Sequence, residues 1–361
     1  MTKVLCLIDT LGMGGAERQM IGLTLLLKQK GYSVDLVTYY NHDFYSVLVD
    51  QYGLGTKTLQ VNESKWSKLR AIKKHIKKAG GYDWVIAYKD GPAIISCLLK
   101  MLGGNFKLIV SERNTNQSFT RSDKLKFFFY RWADYIVPNA YAQAHFIKTH
   151  FPALSKKIVT ITNFTDTEYF CSKETAENDK IIIMTAARVA RQKNIIHYLE
   201  AIKLLKEEGY DEKVHFEWYG NVQTGEEDYG EQCFAKRKEL GLESVIDFHP
   251  ATTDILKHYQ SCDIFCLPSI YEGFPNVVCE AMSCGKPIAC SRICDNPYIV
   301  KEKENGLFFD PTNSESIYVA LKEMIEMPKT KLQEWGKNSR HISESLFSKE
   351  VFVQKYIDLI K

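Results

Sequence analysis

The 361 residues, 45% hydrophobic and 25% charged, are more than one core usually encloses, so two domains are expected. Net charge is only +3, yet residues 1–170 hold 23 Lys/Arg against 13 Asp/Glu and the remainder 24 against 31, a basic half and an acidic half. No apolar run reaches the roughly 18 residues of a membrane span, the first residues are too sparsely apolar for a secretory leader, and the ten cysteines form no C-x-x-C pair, so the expectation is a cytoplasmic protein with buried reduced thiols and no metal site.

In chain order, "KVLCLI" predicts a strand, and "DTLGMGGAERQM" a glycine turn opening a helix. A nicotinamide-binding turn would read G-x-G-x-x-G. Gly12 and Gly14 fit, but Glu17 stands where the third glycine belongs, and Asp43 falls too late after the second strand, "SVDLVTYY", to hold a ribose. What remains is a loop at which Gly14 and Gly15 let backbone approach a ligand in front of a helix N-terminus; a ligand-free βα turn is the alternative. Further strands are predicted at "DWVIAY", "KLIVSE", "DYIVPN" and "KIVTITN". Helices are predicted at "SKLRAIKKHIKKAGG", "GPAIISCLLKMLGG" and "AYAQAHFIKTHF". Glycines close three of the first-half helices. Strand and helix in alternation imply a parallel sheet covered on both faces.

After the polar stretch "CSKETAENDK" the pattern restarts with "IIIMTAARV" and the helix "NIIHYLEAIKLLKEEG", followed by the strands "KVHFEWYG", "VIDFHP", "DIFCLPS", "PIACS" and "GLFFD". Two similar α/β halves joined near residues 163–180 place any ligand at the carboxyl ends of the strands, in a cleft between the halves.

Two segments of the second half carry chemistry. In "SIYEGFPNVVCEAMSCGKPIACS", Glu272 lies in the loop after a strand and Glu280 in the helix that follows, eight residues on. The turn at Gly273, Phe274 and Pro275 and the amides near Asn276 to Val278 make an anion site, and a carboxylate on each side of it suits a sugar phosphate: acceptors for hydroxyls, donors for phosphate. In "AARVARQKNI", Arg188 and Lys193 stand five apart in a strand-to-helix loop, a fork and a point charge for a diphosphate, with Arg191 as a spare. Solvated loop charges are the alternative for each segment.

On these residues the chain resembles the retaining GT-B glycosyltransferases of family 4. "GGAER", "TAARVARQKN", Gly220–Asn221 and "YEGFPNVVCEAMSCGKPI" match in order and spacing, the last as E-x7-E. The resemblance implies a GT-B fold: two Rossmann-like domains facing each other across a cleft, an acceptor-binding domain at 1–165 and a nucleotide-sugar domain at 170–345, with the helix near 346–361 packing back on the first. It implies retaining transfer of a sugar from a nucleotide-sugar donor, UDP being expected, to a glycan acceptor in surface polysaccharide synthesis, with no metal and no cofactor. It assigns Arg188 and Lys193 to the leaving diphosphate, Glu280 to the ribose, and Glu272 to the transferred sugar together with Gly273, Phe274, Pro275, Asn276 and Val277. Gly14, Gly15, Asn163 and Gly220 become donor contacts, with Asp166 beside the hinge. Where many relatives carry a His, "VSERNTN" offers Glu112, as a catalytic carboxylate or as a structural partner of Arg113.

The segment "SKWSKLRAIKKHIKKAGG" has seven Lys/Arg between Lys65 and Lys78 and no acid. Trp66, Leu69, Ile72 and Ile76 are predicted to share a side, flanked by Lys65, Lys68, Arg70, Lys73, Lys74 and Lys77. Such a helix covers the first domain, and its outer face suits an anionic membrane surface and a lipid-linked acceptor. No nucleic-acid recognition module is present. A nucleotide-sugar epimerase and a non-catalytic binding subunit are the rival readings.

Overall fold

The computed structural model describes residues 1–41, 44–62, 64–116, 118–173 and 179–361. Asp43, weighed above as a ribose ligand, and part of the polar stretch before Lys180 lie outside them. The chain divides into two units, Met1–Phe164 with Lys349–Lys361, and Thr165–Ser348.

In the first unit six strands, β1 (Lys3–Leu7), β2 (Ser33–Thr38), β3 (Thr56–Thr58), β4 (Trp84–Tyr88), β5 (Lys107–Glu112) and β6 (Tyr135–Pro138), form a parallel sheet in the order 3-2-1-4-5-6. Alternation along β1 divides its side chains between two cores. Val4 and Cys6 pack with Met20, Leu23 and Leu27 of the helix Gly15–Gln29, and with Phe352, Tyr356 and Ile360 of the last helix, Lys349–Ile360. Leu5 and Leu7 pack on the other face with Leu69 and Ile72 of Lys65–Lys78, with Ala93 and Ile95 of Asp90–Met101, and with Phe127 and Tyr130 of Arg121–Tyr130. Sheet residues buried on both faces explain why β4 reads "WVIAY" with no polar interruption.

The second unit repeats the plan. Strands β7 (Ile181–Ala186), β8 (Val214–Tyr219), β9 (Ile246–His249), β10 (Ile264–Leu267), β11 (Ile288–Ser291) and β12 (Gly306–Phe309) run parallel in the order 12-11-10-7-8-9. Ile264 and Cys266 face one core, with the helices Ile195–Glu207 and Ser314–Ile325; Phe265 and Leu267 face the other, with Asn276–Ser283.

Each sheet is built outward in one direction from its first strand and resumes on that strand's other side. This leaves a topological switch point between β1 and β4, and another between β7 and β10, where the loops at the carboxyl edge diverge and leave room for a ligand.

Two sequence expectations are corrected. "KIVTITN" is not a strand: Ile158 makes only an isolated bridge to Ile136 after the 3-10 turn Pro152–Lys157. A short edge strand that the sequence reading passed over, Thr56–Thr58, pairs with β2 instead. The ten cysteines are all free and eight are buried; burial pushes the Cys6 and Cys262 thiols up to about 12.

Candidate active site

The switch point of the second sheet brings the two motif segments together. Because β7 and β10 are neighbours, the loops that leave them run side by side and are joined bond by bond. The Ile270 N–H donates to Gln192 O at 2.8 Å, Gln192 Nε2 to Tyr271 O at 2.8 Å, and Asn194 Nδ2 to Pro268 O at 3.0 Å and to Pro311 O at 2.6 Å. Asn194 adopts the left-handed conformation (φ 61°) that turns the loop into the helix Ile195–Glu207. On this frame Lys193 Nζ meets Glu272 Oε1 at 2.5 Å, with both side chains about a tenth exposed.

Arg188 differs from Lys193. It is exposed at the same edge and has no hydrogen-bond or ion-pair partner among the described residues. Arg191, the spare cation, is tied at the surface to Asp228. Gly220, at the end of β8, is a glycine because a Cβ there would run into the Ala187 carbonyl, one residue before Arg188.

Glu280 is buried on the helix Asn276–Ser283 and accepts from Tyr259 Oη at 3.2 Å. Phe274 is buried and packs edge-on to Phe347, and Pro275 caps the helix behind the Gly273 turn. The open run of amides expected at Asn276 to Val278 is corrected: the Asn276 N–H donates to Phe274 O and the Val278 N–H to Pro275 O, both at 3.0 Å, because the turn winds tightly into the helix. Val277 N–H is the one of the three with no partner among the described residues. Asp166 closes a turn by accepting from the Tyr169 N–H at 3.2 Å.

Sequence reading missed four residues at this edge. Asn194 is invisible as a spacer because a left-handed asparagine has no periodic signature. Tyr219 stacks with His249, ring centroids 4.6 Å apart, and His249 Nε2 is buried without a partner among the described residues. Cys294, in the loop after β11, is raised by burial, partly offset by a hydrogen bond from the Glu272 backbone.

In the first unit, Gly14 caps the helix Gly15–Gln29 with extended backbone, and Gly15 is exposed. Glu112 is corrected in its partner. It is fully buried at the end of β5, bound by Lys126 Nζ at 2.7 Å and by Tyr130 Oη, and does not pair with Arg113. Burial raises its carboxyl although Lys126 pulls it down. Lys126 lies on the helix Arg121–Tyr130, absent from the sequence reading, so its pairing was illegible. Arg113 stacks on Tyr88 and donates to Asn163 Oδ1 at 2.8 Å and Tyr356 Oη at 3.1 Å, so Asn163 is buried in a network joining β5 to the last helix.

On the basic helix, Leu69 and Ile72 are buried as expected of a covering helix, and Lys65, Arg70, Lys73, Lys74 and Lys77 are exposed. Two positions are corrected. Trp66 is 66% exposed, because it sits in the first turn ahead of the core. Lys68 turns inward onto the Tyr39 and Tyr40 rings. No described helix is long and apolar enough to cross a membrane.

Two Rossmann-like sheets of this strand order make the GT-B fold. Anabaena HepE, solved in complex with UDP, shares the fold at a TM-score of 0.86, covering 100% of this chain and 99% of that one at 18% identity. The model of Glycosyltransferase Family 4 matches residues 13–169 and that of Glycosyl transferases group 1 matches 167–342, and the chain belongs to this family of glycosyltransferases. Among its relatives, a Campylobacter jejuni protein named N-acetylgalactosamine-N,N'-diacetylbacillosaminyl-diphospho-undecaprenol 4-alpha-N-acetylgalactosaminyltransferase is 26% identical over 97% of this chain and 96% of its own. An uncharacterized glycosyltransferase of Haemophilus influenzae is 26% identical over 92% of each.

Proposed function

We propose that the protein transfers a sugar from a nucleotide donor, UDP-linked, to a lipid-linked glycan acceptor with retention at the anomeric carbon and without a metal ion. The observation that carries the donor half is the joined pair of loops at the β7–β10 switch point, where the loop that holds the Lys193–Glu272 pair also carries Arg188, exposed and without a partner among the described residues. Cleavage of the anomeric C–O bond leaves an oxocarbenium-like sugar and puts negative charge on the departing diphosphate. Arg188 stabilises that charge as a fork, and Lys193 with the donors it does not use on Glu272; cations fixed in place beforehand are commonly the largest catalytic term. Glu280 accepts from the ribose hydroxyls and Glu272 from the sugar. The leaving phosphate takes the acceptor's proton, so no separate base is required.

Gly14 and Gly15 place no side chain over the first amides of their helix, as an approach to the sugar phosphate requires. The UDP complex of HepE supports the nucleotide, and the diphospho-undecaprenol acceptor named for the Campylobacter relative supports the acceptor class. The outer face of Lys65–Lys78, six exposed cations with Trp66 at one end, would hold the protein at an anionic membrane where such an acceptor resides.

The test is a panel of UDP-sugars with undecaprenyl-diphosphate-linked saccharides, with and without EDTA, and products read by mass and by the anomeric coupling constant. An added hexose or N-acetylhexosamine in the donor's own configuration, formed equally in EDTA, is expected. Inversion or loss of activity in EDTA would overturn the mechanism. Consumption of UDP-sugar without any acceptor would favour an epimerase.

A further inference from the structure

The first sheet has a switch point of its own, between β1 and β4, and an unusual lysine stands there. Lys89 follows β4 and caps the helix Asp90–Met101 with φ 70° and ψ 162°, a region of backbone space occupied almost only by glycine. Its Nζ lies 3.0 Å from Asp9 Oδ1 and 2.5 Å from Glu17 Oε1, and Glu17 is buried. Asp9 opens the glycine loop and Glu17 stands in the first turn of the helix that follows it, so one ammonium ties the start of the loop to that helix. The other Glu17 oxygen lies within clashing distance of where a Cβ on Gly14 would be, so the clamped carboxylate packs over Gly14 and only a glycine leaves it room. Burial works against the Lys89 charge, but the hydrogen bonds and charges of Glu17 and Asp9 outweigh it and raise its pKa.

We infer that Lys89 is a positioning residue for glycosyl transfer: its ammonium fixes the loop between Asp9 and Glu17, and so aims the amides of Gly14 and Gly15 at the reacting sugar phosphate. The strained backbone is what puts the ammonium between the two carboxylates; a relaxed residue at 89 would be easier to fold. This rests on the transfer reaction proposed above, and what it adds is the dependence of the N-terminal loop on a lysine outside every recognised motif.

The experiment compares Lys89→Met, Lys89→Gly and Lys89→Arg in the full chain by three readouts. Hydrogen exchange of residues 9–17 should speed up in Lys89→Met and Lys89→Gly, and return toward wild type in Lys89→Arg. On a donor and acceptor that wild type uses, kcat should fall between about 10-fold and 100-fold in the same two variants, as for a slightly misplaced catalytic group, while Kd for UDP stays within twofold and Lys89→Arg recovers most of the rate. Thermal melting should separate the causes: Lys89→Gly, freed of the strained backbone, melts above Lys89→Met although the two lose rate alike. Unchanged exchange in the loop overturns the inference whether or not a donor has been found. Loosened exchange with wild-type kcat, or kcat restored by Lys89→Gly, overturns it too. Absence of transfer by wild type on every donor counts against the proposed reaction, leaving the exchange result to decide the clamp.

Discussion

Arg188 and Lys193 are two cations of one loop in opposite circumstances, and substitution should separate them. Arg188 is exposed and makes no hydrogen bond or ion pair among the described residues. Arg188→Ala is expected to leave the melting temperature within about 1 °C and to lower kcat/KM by about 100-fold to 1,000-fold, the loss seen when one charge-stabilising donor is removed; steady-state kinetics beside a melt checks both. Lys193 is half of a nearly buried pair. Lys193→Met leaves Glu272 uncompensated and should destabilise the second unit by about 3 kcal/mol, the lower end for a broken buried pair. Adding Glu272→Gln should return much of that stability and none of the activity. A double-mutant cycle by chemical denaturation measures the coupling, and recovery of activity in the double variant would show that the pair does not serve the donor.

At the scale of elements, function depends on how two loops are held against each other. Gly220 lets β8 end against the Ala187 carbonyl, and Asn194 holds the carbonyls of Pro268 and Pro311. Asn194→Ala removes both bonds and the residue type that tolerates the left-handed turn, and should cost about 2 kcal/mol for the unsatisfied carbonyls and the turn together. It should also raise hydrogen exchange at Ile270, whose amide bonds to Gln192. Exchange unchanged at Ile270 would show that the loops do not depend on Asn194. Much of this architecture was legible in the sequence, because alternating apolar strands and glycine-closed helices repeat with clear periods: the helices at Gly15–Gln29 and Ile195–Glu207 read directly from spacing. The carboxylates and cations were legible because strand ends announce loops. What was not legible depends on long-range pairing or on backbone angle. Thr56–Thr58 is three residues long and a strand only because β2 offers it an edge. Glu112 finds Lys126 across a helix whose mixed face, "RSDKLKFFFY", gives no amphipathic signal. Lys89 and Asn194 adopt positive φ, which no residue pattern encodes.

Across the whole molecule, the last helix is distant in sequence from the unit it completes. Phe352, Val353, Tyr356, Ile357 and Ile360 are buried in the core of the first unit, and Tyr356 Oη bonds to Tyr88 and Arg113. Ending the chain at Ser348 should therefore lower the melting of the first unit and leave the second close to wild type. Hydrogen exchange resolved by peptide should show β1, β4 and β5 deprotected while β7, β8 and β10 stay protected; equal deprotection of both would mean that the units do not fold as separate bodies. The excess of basic residues in the first half predicts a salt-sensitive interaction of that unit with lipid. Sedimentation with vesicles rich in phosphatidylglycerol should fall several-fold between 50 and 500 mM salt and in Trp66→Ala, whereas binding indifferent to both would remove the membrane role of Lys65–Lys78. Whether the switch point between β7 and β10 holds the leaving diphosphate is decided by a crystal structure with UDP bound. Diphosphate oxygens should lie within hydrogen-bonding distance of Arg188 and Lys193, with the ribose on Glu280. A nucleotide bound elsewhere, with both cations turned into water, would contradict it.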